Sequence, residues 1–213
     1  MAQIVVFGAT GYAGGHIARE LVSRGHAVLG VARTVPENGD GIEYVAGSIH
    51  DAELVRRVAH GADQIVVALH AHVDDGPQLA EALPLLAEVA QSEGARLSFV
   101  GGAGSLNVSE GGPRLFDTAE FPAEYKPEAV AHGAILDWLR TTDEKLDWFY
   151  VSPAAVFGSW VPGERTGTFR VGGDILLTDA EGNSSISGAD YATAYVDEIE
   201  KAAHPRARLS VAY

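Results

Sequence analysis

A glycine-spaced turn near the start of the chain restricts the fold more than any other feature. Gly8, Gly11 and Gly14 follow an unbroken apolar run, Ile4–Phe7, and precede a segment with helical periodicity, residues 12–24. A strand that leads through three glycines into a helix is the local structure that binds the pyrophosphate of a dinucleotide. The spacing therefore predicts a dinucleotide-binding turn, with a purely structural turn as the alternative.

Each glycine of this turn has a separate physical task. Gly8 permits a tight exit from the strand, Gly11 lets the backbone approach the pyrophosphate, and Gly14 allows the helix to pack closely on the strand. The anion then lies at the helix N-terminus, where unpaired N–H groups and the helix dipole favour negative charge. The predicted direct contacts are Thr10 and the backbone of Tyr12 and Ala13.

Strand-like and helix-like segments alternate along the rest of the chain, and this pattern predicts an α/β fold. We expect a Rossmann-type, doubly wound parallel sheet in a single domain, residues 1–213, with a small substrate-side lobe at residues 159–187. The predicted strands are 3–7, 27–32, 42–46, 64–69, 96–100, 148–151 and 209–212. The predicted helices are 12–24, 51–60, 77–93, 129–141 and 189–203.

Three local features qualify this outline. Pro84 lies inside the third helix, so a kink or break is expected near Leu83. Residues 101–127 form a long loop rich in Gly, Ser and Pro, and loops of that length tend to be functional. Short strands at 168–171 and 175–177 are expected to form a hairpin around residues 172–174.

Composition narrows the range of partners. The 213 residues include no cysteine, which excludes disulfides and thiolate metal sites, and carry a net charge of −14. An acidic surface disfavours binding to nucleic acid and to anionic membranes, so we expect neither as a partner.

The first residues have the pattern of a strand rather than of a signal peptide, and no apolar run approaches the ~20 residues of a membrane span. A cytoplasmic protein is expected, with its oligomeric state open and a homo-oligomer one possibility.

The end of the second strand indicates which dinucleotide is bound. Sites for NAD commonly place an acidic residue there, about 20 residues after the glycines, to hold the ribose hydroxyls. Residues 31–34 offer no carboxylate but contain Arg33, whose guanidinium can pair with a 2′-phosphate. The sequence therefore predicts NADP(H), with a solvated surface arginine as the alternative.

Several motifs along the chain resemble one protein family. The first glycine turn together with Arg33 resembles the atypical and extended short-chain dehydrogenase/reductases, and the later motifs resemble their NmrA-like NAD(P)-binding branch in bacteria. The resemblance covers essentially the full length. The later motifs are Val100–Leu106, Asp147–Pro153, Gly163–Gly167 and Ile186–Ala192.

The resemblance implies further cofactor contacts. Residues after the third strand would lie near the adenine, and the ends of the fourth, fifth and sixth strands would flank the ribose and nicotinamide. Many relatives have an acidic residue where Ser48 stands, so that contact could be made by backbone. The implied contact residues are Ser48, Ile49, Ala68, Leu69, His70, Gly101, Gly102, Ala103, Ser152, Pro153 and Ala154.

The chain departs from the superfamily at the catalytic pair. The usual Tyr-x-x-x-Lys motif places a tyrosine and a pKa-lowering lysine on one helix face. The matching positions here hold Glu128 and His132, and Tyr125 lies nearby without a lysine four residues later. The candidate proton donors are therefore His132 and Tyr125. A structural histidine, and a reaction that takes its proton from solvent, are the alternatives.

The resemblance and the missing pair leave two functions open. One is an NADPH-dependent oxidoreductase that transfers hydride to a small-molecule carbonyl, quinone or flavin-like acceptor. The other is a non-catalytic NADP(H)-binding sensor or regulatory protein. His70 and His72 at a strand end could suggest a metal, but no further ligands appear at a defined spacing, so we expect none.

Overall fold

The computed structural model describes residues 1–37 and 39–213. This part of the chain holds eight strands, five α-helices and three short 3₁₀ turns. The strands are β1 (Gln3–Phe7), β2 (Ala27–Ala32), β3 (Glu43–Ala46), β4 (Gln64–Val67), β5 (Arg96–Val100), β6 (Trp148–Ser152), β7 (Arg170–Gly172) and β8 (Ala207–Ala212). The helices are α1 (Tyr12–Ser23), α2 (Ala52–Ala59), α3 (Leu79–Glu93), α4 (Lys126–Thr141) and α5 (Gly188–Lys201).

One sheet with the order β3-β2-β1-β4-β5-β6-β8-β7 organises the molecule. Every neighbouring pair is parallel except β7 and β8, which are antiparallel. This is the α/β Rossmann-type doubly wound sheet that the alternating pattern predicts. The strand order reverses between β1 and β4, and ligands of such folds bind outside the carboxyl ends of the strands at that point.

Both faces of the sheet are covered, which explains the unbroken apolar strands. Val5 and Phe7 pack into a core with α2, α3 and α4, whereas Ile4 and Val6 pack into a second core with α1 and α5. All four side chains are at most 3% exposed. A strand that is buried on both faces needs apolar residues at successive positions rather than at alternate ones.

Helix α3 does not break at Pro84, so the break that the sequence predicts near Leu83 is wrong, while a kink at that point stays a prediction. The helix runs continuously from Leu79 to Glu93, with Pro84 in its second turn. A capping box between Gln78 and Glu81 closes the N-terminus, and Leu83 and Leu86 are buried. Proline removes one intrahelical hydrogen bond, and the capped, buried helix absorbs that loss.

The predicted hairpin at residues 168–177 is wrong. Strand β7 pairs with β8 instead, and Ile175 forms only an isolated bridge to Asn107. The residue at the expected turn, Asp174, is held by Arg140 and Arg208 at 2.6 and 2.5 Å. These distant ion pairs draw the segment across the sheet edge, so the local turn does not form.

The long loop at residues 101–127 has structure of its own. It contains the three 3₁₀ turns, Ala103–Ser105, Leu115–Asp117 and Ala123–Tyr125. Arg208 donates to the backbone and side-chain oxygens of Ser105, both at 3.0 Å, and so ties the loop to β8. Within the described residues, no helix is both long and apolar enough to cross a membrane.

Candidate cofactor and active site

The glycine turn after β1 is built so that only glycine fits at two of its positions. Gly8 has φ +85°, and a Cβ atom there would lie 2.1 Å from the carbonyl oxygen of Ala68. A Cβ atom on Gly14 would lie 2.2 Å from the carbonyl oxygen of Gly8. The glycine turn that joins β1 to α1 therefore packs closely against the residue after β4, and α1 packs directly on this turn, as the sequence pattern predicts.

The start of helix α1 fits the pyrophosphate of a dinucleotide. Gly11 is the N-cap residue, has extended backbone and makes no side-chain cap to the helix. A Cβ atom on Gly11 would lie 3.3 Å from the nearest atom, the Gly8 carbonyl oxygen, so a ligand can approach the backbone here. The N–H groups of Tyr12 and Ala13 in the first turn are the donors that an anion at this end would use.

The side chain of Tyr12 has a role that the sequence did not reveal. Its hydroxyl donates to the carbonyl oxygen of Pro162 at 3.3 Å and accepts from the Gly188 N–H at 3.0 Å. Its ring also packs edge-on against Phe157, with 5.4 Å between the centroids. Tyr12 therefore joins the glycine turn to the segment after β6 and to the start of α5.

The candidate adenosine contacts lie beside the glycine turn. The Gly8 N–H donates to the Val31 carbonyl oxygen at 2.8 Å, so the end of β2 borders the turn, and the exposed Arg33 follows two residues later. Arg33 makes no ion pair with another described residue. Ser48 is half-buried and accepts from the His50 N–H at 3.2 Å, whereas Ile49 is buried.

The ends of β4, β5 and β6 form a row at the same edge of the sheet. The Ala68 N–H donates to the Phe7 carbonyl oxygen, and the Gly101 N–H donates to the Val151 carbonyl oxygen, each at 2.9 Å. Ser152 is fully buried, and its hydroxyl has no hydrogen-bond partner among the described residues. The row contains the predicted contacts Ala68, Leu69, His70, Gly101, Gly102, Ala103, Ser152, Pro153 and Ala154.

Glu128 is the centre of a polar cluster at this edge. Its Oε1 accepts from His70 Nδ1 at 3.0 Å and from the Ala71 N–H at 3.1 Å, and its Oε2 accepts from the His72 N–H at 2.6 Å. Nε2 of His132 lies 3.2 Å from Oε1. The two residues at the positions of the usual catalytic pair are thus in contact with each other, and Glu128 also contacts the segment that follows β4.

The contacts within this cluster shift the pKa values of Glu128 and His70 in opposite directions. Burial alone would raise the pKa of Glu128, but the hydrogen bonds from His132, His70 and the His72 backbone hold that pKa well below its usual range. The hydrogen bond to Glu128 raises the pKa of His70. Glu128 is therefore favoured as a carboxylate and His70 as a protonated imidazole.

The two candidate proton donors lie in different surroundings. The His132 side chain is 8% exposed, and its Nδ1 is buried without a hydrogen-bond partner in the described chain. Tyr125 ends the 3₁₀ turn before α4 and is 57% exposed. His70 has the most exposed side chain of the cluster at 86%.

Among the described residues, no group of three or more His, Cys, Asp or Glu side chains has the arrangement of a metal site.

The fold and the glycine turn define a dinucleotide-binding Rossmann protein. Residues 8–202 match the model of the NAD(P)H-binding family. The chain therefore belongs to the NAD(P)H-binding family, whose cofactor is a nicotinamide dinucleotide, as its resemblance to NmrA-like proteins implies. The match begins at Gly8, the first glycine of the turn.

Several bacterial proteins are similar over nearly the whole chain. An uncharacterized Bacillus subtilis (strain 168) protein, YwnB, is 36% identical over 98% of this chain and 97% of its own length. A "putative exported protein" from Burkholderia pseudomallei is 37% identical with TM-score 0.87, and each chain is covered completely. A "putative NADH-flavin reductase" from Streptococcus pneumoniae TIGR4 is 35% identical with TM-score 0.82, over 100% of this chain and 99% of its own.

Proposed function

We propose that the protein is an NADP(H)-dependent oxidoreductase that reduces a small-molecule carbonyl, quinone or flavin-like acceptor. The single observation that carries the proposal is the position of the Glu128 cluster. It lies at the carboxyl edge of the sheet, beside the strand ends next to the glycine turn. A carboxylate with two imidazoles at this edge supplies groups that can donate or accept a proton. The flavin named for the Streptococcus pneumoniae relative supports the flavin-like member of the acceptor class.

The chain's own residues would divide the work of binding. The backbone from Gly8 to Gly14 would hold the pyrophosphate, Arg33 the 2′-phosphate, and the ends of β4, β5 and β6 the nicotinamide side. When bound, the nicotinamide supplies the hydride, and the protein supplies orientation and exclusion of water.

Turnover with a panel of acceptors tests this function. The purified protein is mixed with NADPH or NADH, and the nicotinamide absorbance is followed with quinones, flavins and aldehydes. Oxidation above the protein-free rate with at least one acceptor is expected. Tight binding of NADPH without oxidation by any acceptor would instead favour the regulatory alternative and would contradict the proposal.

Substitution of Arg33 tests the choice between the two dinucleotides. Because a hydrogen-bonded contact to a charged group contributes about 1.5–3 kcal/mol, Arg33→Ala should weaken NADPH binding by roughly 10- to 100-fold. Binding of NADH should change by less than about 2-fold, since that cofactor lacks the phosphate. Both dissociation constants are measured by nicotinamide fluorescence.

Arg57 offers a matched control for this measurement. It is an exposed arginine on α2, and Arg57→Ala makes the same change of charge away from the glycine turn. It should leave both dissociation constants unchanged. Equal losses of NADPH and NADH affinity in Arg33→Ala would remove the 2′-phosphate assignment.

A further inference from the structure

We propose that His70 is the proton donor of the reaction and that Glu128 is its positioning residue, with a carbonyl oxygen of the acceptor as the proton's destination. The inference rests on the proposed function and adds a catalytic residue to it. His70 and Glu128 lie 58 positions apart in the chain and meet at the end of β4.

The hydrogen bonds determine which nitrogen of His70 is available. A carboxylate can only accept hydrogen bonds, so Nδ1 of His70, which lies 3.0 Å from Glu128 Oε1, carries a proton. Its Nε2 is directed away from Glu128, and the side chain is 86% exposed. This is the arrangement in which a carboxylate holds one ring nitrogen of a histidine and leaves the other for proton transfer.

Glu128 is itself held firmly in place. Two backbone N–H groups, of Ala71 and His72, bind its two oxygens, and His132 supports it from the interior of the protein. His132 is buried and His70 is exposed, so the structure assigns anchoring to the first and proton transfer to the second. Three donors besides His70 keep the carboxylate aligned when the charge of His70 changes.

The charges around His70 favour the protonated imidazole. Glu128 faces it from α4, and Nε2 of His132 contacts the same carboxylate oxygen, Oε1, at 3.2 Å. On its own loop, His72 is paired with the fully exposed Asp74 at 3.5 Å. Since the hydrogen bond to Glu128 raises the pKa of His70, more of the acid form is present at neutral pH.

The proposed step is balanced. The carbonyl carbon receives the hydride, the electron pair of the C=O π bond moves to oxygen, and that oxygen takes the proton from Nε2 of His70. NAD(P)H is oxidised and the carbonyl is reduced to an alcohol. His70 is left neutral with its Nδ1 proton still bound to Glu128, and solvent restores the lost proton at the exposed Nε2.

The pair His60 and Glu93 provides a matched control. Nδ1 of His60 lies 3.3 Å from Glu93, and its side chain is 83% exposed, much like His70. This pair precedes β4, whereas His70 follows β4, so the control pair lies at the opposite edge of the sheet. His60→Gln and Glu93→Gln therefore repeat the chemical change away from the site.

The experiment measures kcat and KM against pH for an aldehyde that the wild-type protein reduces. His70→Gln should lower kcat by roughly 100-fold or more, the usual contribution of a general acid, and should abolish the fall of activity at high pH. Glu128→Gln should move that fall to lower pH, because the hydrogen bond that raises the pKa of His70 loses its charged acceptor. The KM for NADPH should change much less than kcat in both variants, and His60→Gln and Glu93→Gln should match the wild type.

A proton NMR titration of the free protein gives a readout that does not need turnover. The His70 resonance, assigned by its loss in His70→Gln, should titrate at lower pH in Glu128→Gln than in the wild type.

Three results would overturn the inference: identical titration of His70 in Glu128→Gln and the wild type, a normal kcat in His70→Gln, or a rise in cofactor KM as the only effect of His70→Gln. If Tyr125→Phe lowered kcat as much as His70→Gln is expected to, Tyr125 would be the proton donor and the inference would be overturned. Failure of the wild-type protein to oxidise NAD(P)H with any acceptor would overturn the proposed function as well.

Discussion

Gly11→Asp should weaken binding of both NADPH and NADH by about 100-fold or more, equivalent to ~2.8 kcal/mol, while leaving the protein folded. The aspartate would stand at the N-cap of α1, where the glycine makes no side-chain cap. Its carboxylate would accept the hydrogen bonds of the first helical turn and would repel the pyrophosphate from the same place. Dissociation constants from nicotinamide fluorescence measure the loss.

The fold should tolerate this change because the site has room for a side chain. Gly11 has φ −75°, which any residue adopts, and its added Cβ atom would lie 3.3 Å from the Gly8 carbonyl oxygen. Aspartate is also a better N-cap than glycine by a few tenths of a kcal/mol, so the melting temperature should hold or rise.

Gly11→Asn separates charge from shape at the same position. Asparagine caps a helix as well as aspartate and has nearly the same size, so any difference between the two variants in cofactor affinity measures the negative charge. We expect Gly11→Asn to bind the cofactor more tightly than Gly11→Asp. Unchanged affinity in Gly11→Asp would show that the pyrophosphate does not lie at this helix end.

The sheet and the glycine turn could be predicted because their signals are local. The run Ile4–Phe7 is apolar at every position because both of its faces are buried. Gly8 and Gly14 are required by backbone approaches of about 2 Å that any Cβ atom would create. Neither feature depends on a distant partner, so a short stretch of sequence is sufficient.

The errors arose where distant residues decide the outcome. Residues 172–174 have the composition of a hairpin turn, but Asp174 pairs with Arg208, 34 positions later in the chain. Pro84 would interrupt an isolated helix, but packing of Leu83 and Leu86 maintains α3. Local propensity is a weak signal, and tertiary contacts override it in both places.

The candidate active site could be predicted in part, because its residues have local signals but their association depends on distant contacts. Glu128 and His132 were located at the positions of the usual catalytic pair, and His70 was located at a strand end. Their association depends on α4 bringing Glu128 over the end of β4, which no sequence spacing reveals.

A buried ion pair between β5 and α5 supports the largest expected effect on stability. Arg96 Nη2 lies 2.9 Å from Glu198 Oε1, and the two side chains are 8% and 3% exposed. Glu198 also binds the backbone N–H and Nδ1 of His204 at 2.9 and 2.7 Å. Glu198→Ala should lower the free energy of unfolding by about 3–5 kcal/mol, because it removes the buried carboxylate from the Arg96 guanidinium and leaves only the half-exposed Asp147, 3.2 Å from Arg96 Nε.

The exposed pair of Arg56 and Glu88 separates burial from charge in this measurement. Its side chains are 52% and 64% exposed, so Glu88→Ala should cost at most about 1 kcal/mol. Urea titration of the wild type and of both variants measures the free energies of unfolding.

Burial alone would raise the pKa of Glu198, but hydrogen bonds from His204 and Arg96 lower it below its usual value. The stabilisation is therefore present above the unfolded carboxyl pKa of about 4.3 and is lost as the pH falls below it. The difference between wild type and Glu198→Ala should accordingly narrow in acid, and a difference that is small at pH 7 or independent of pH would show that this pair does not stabilise the fold.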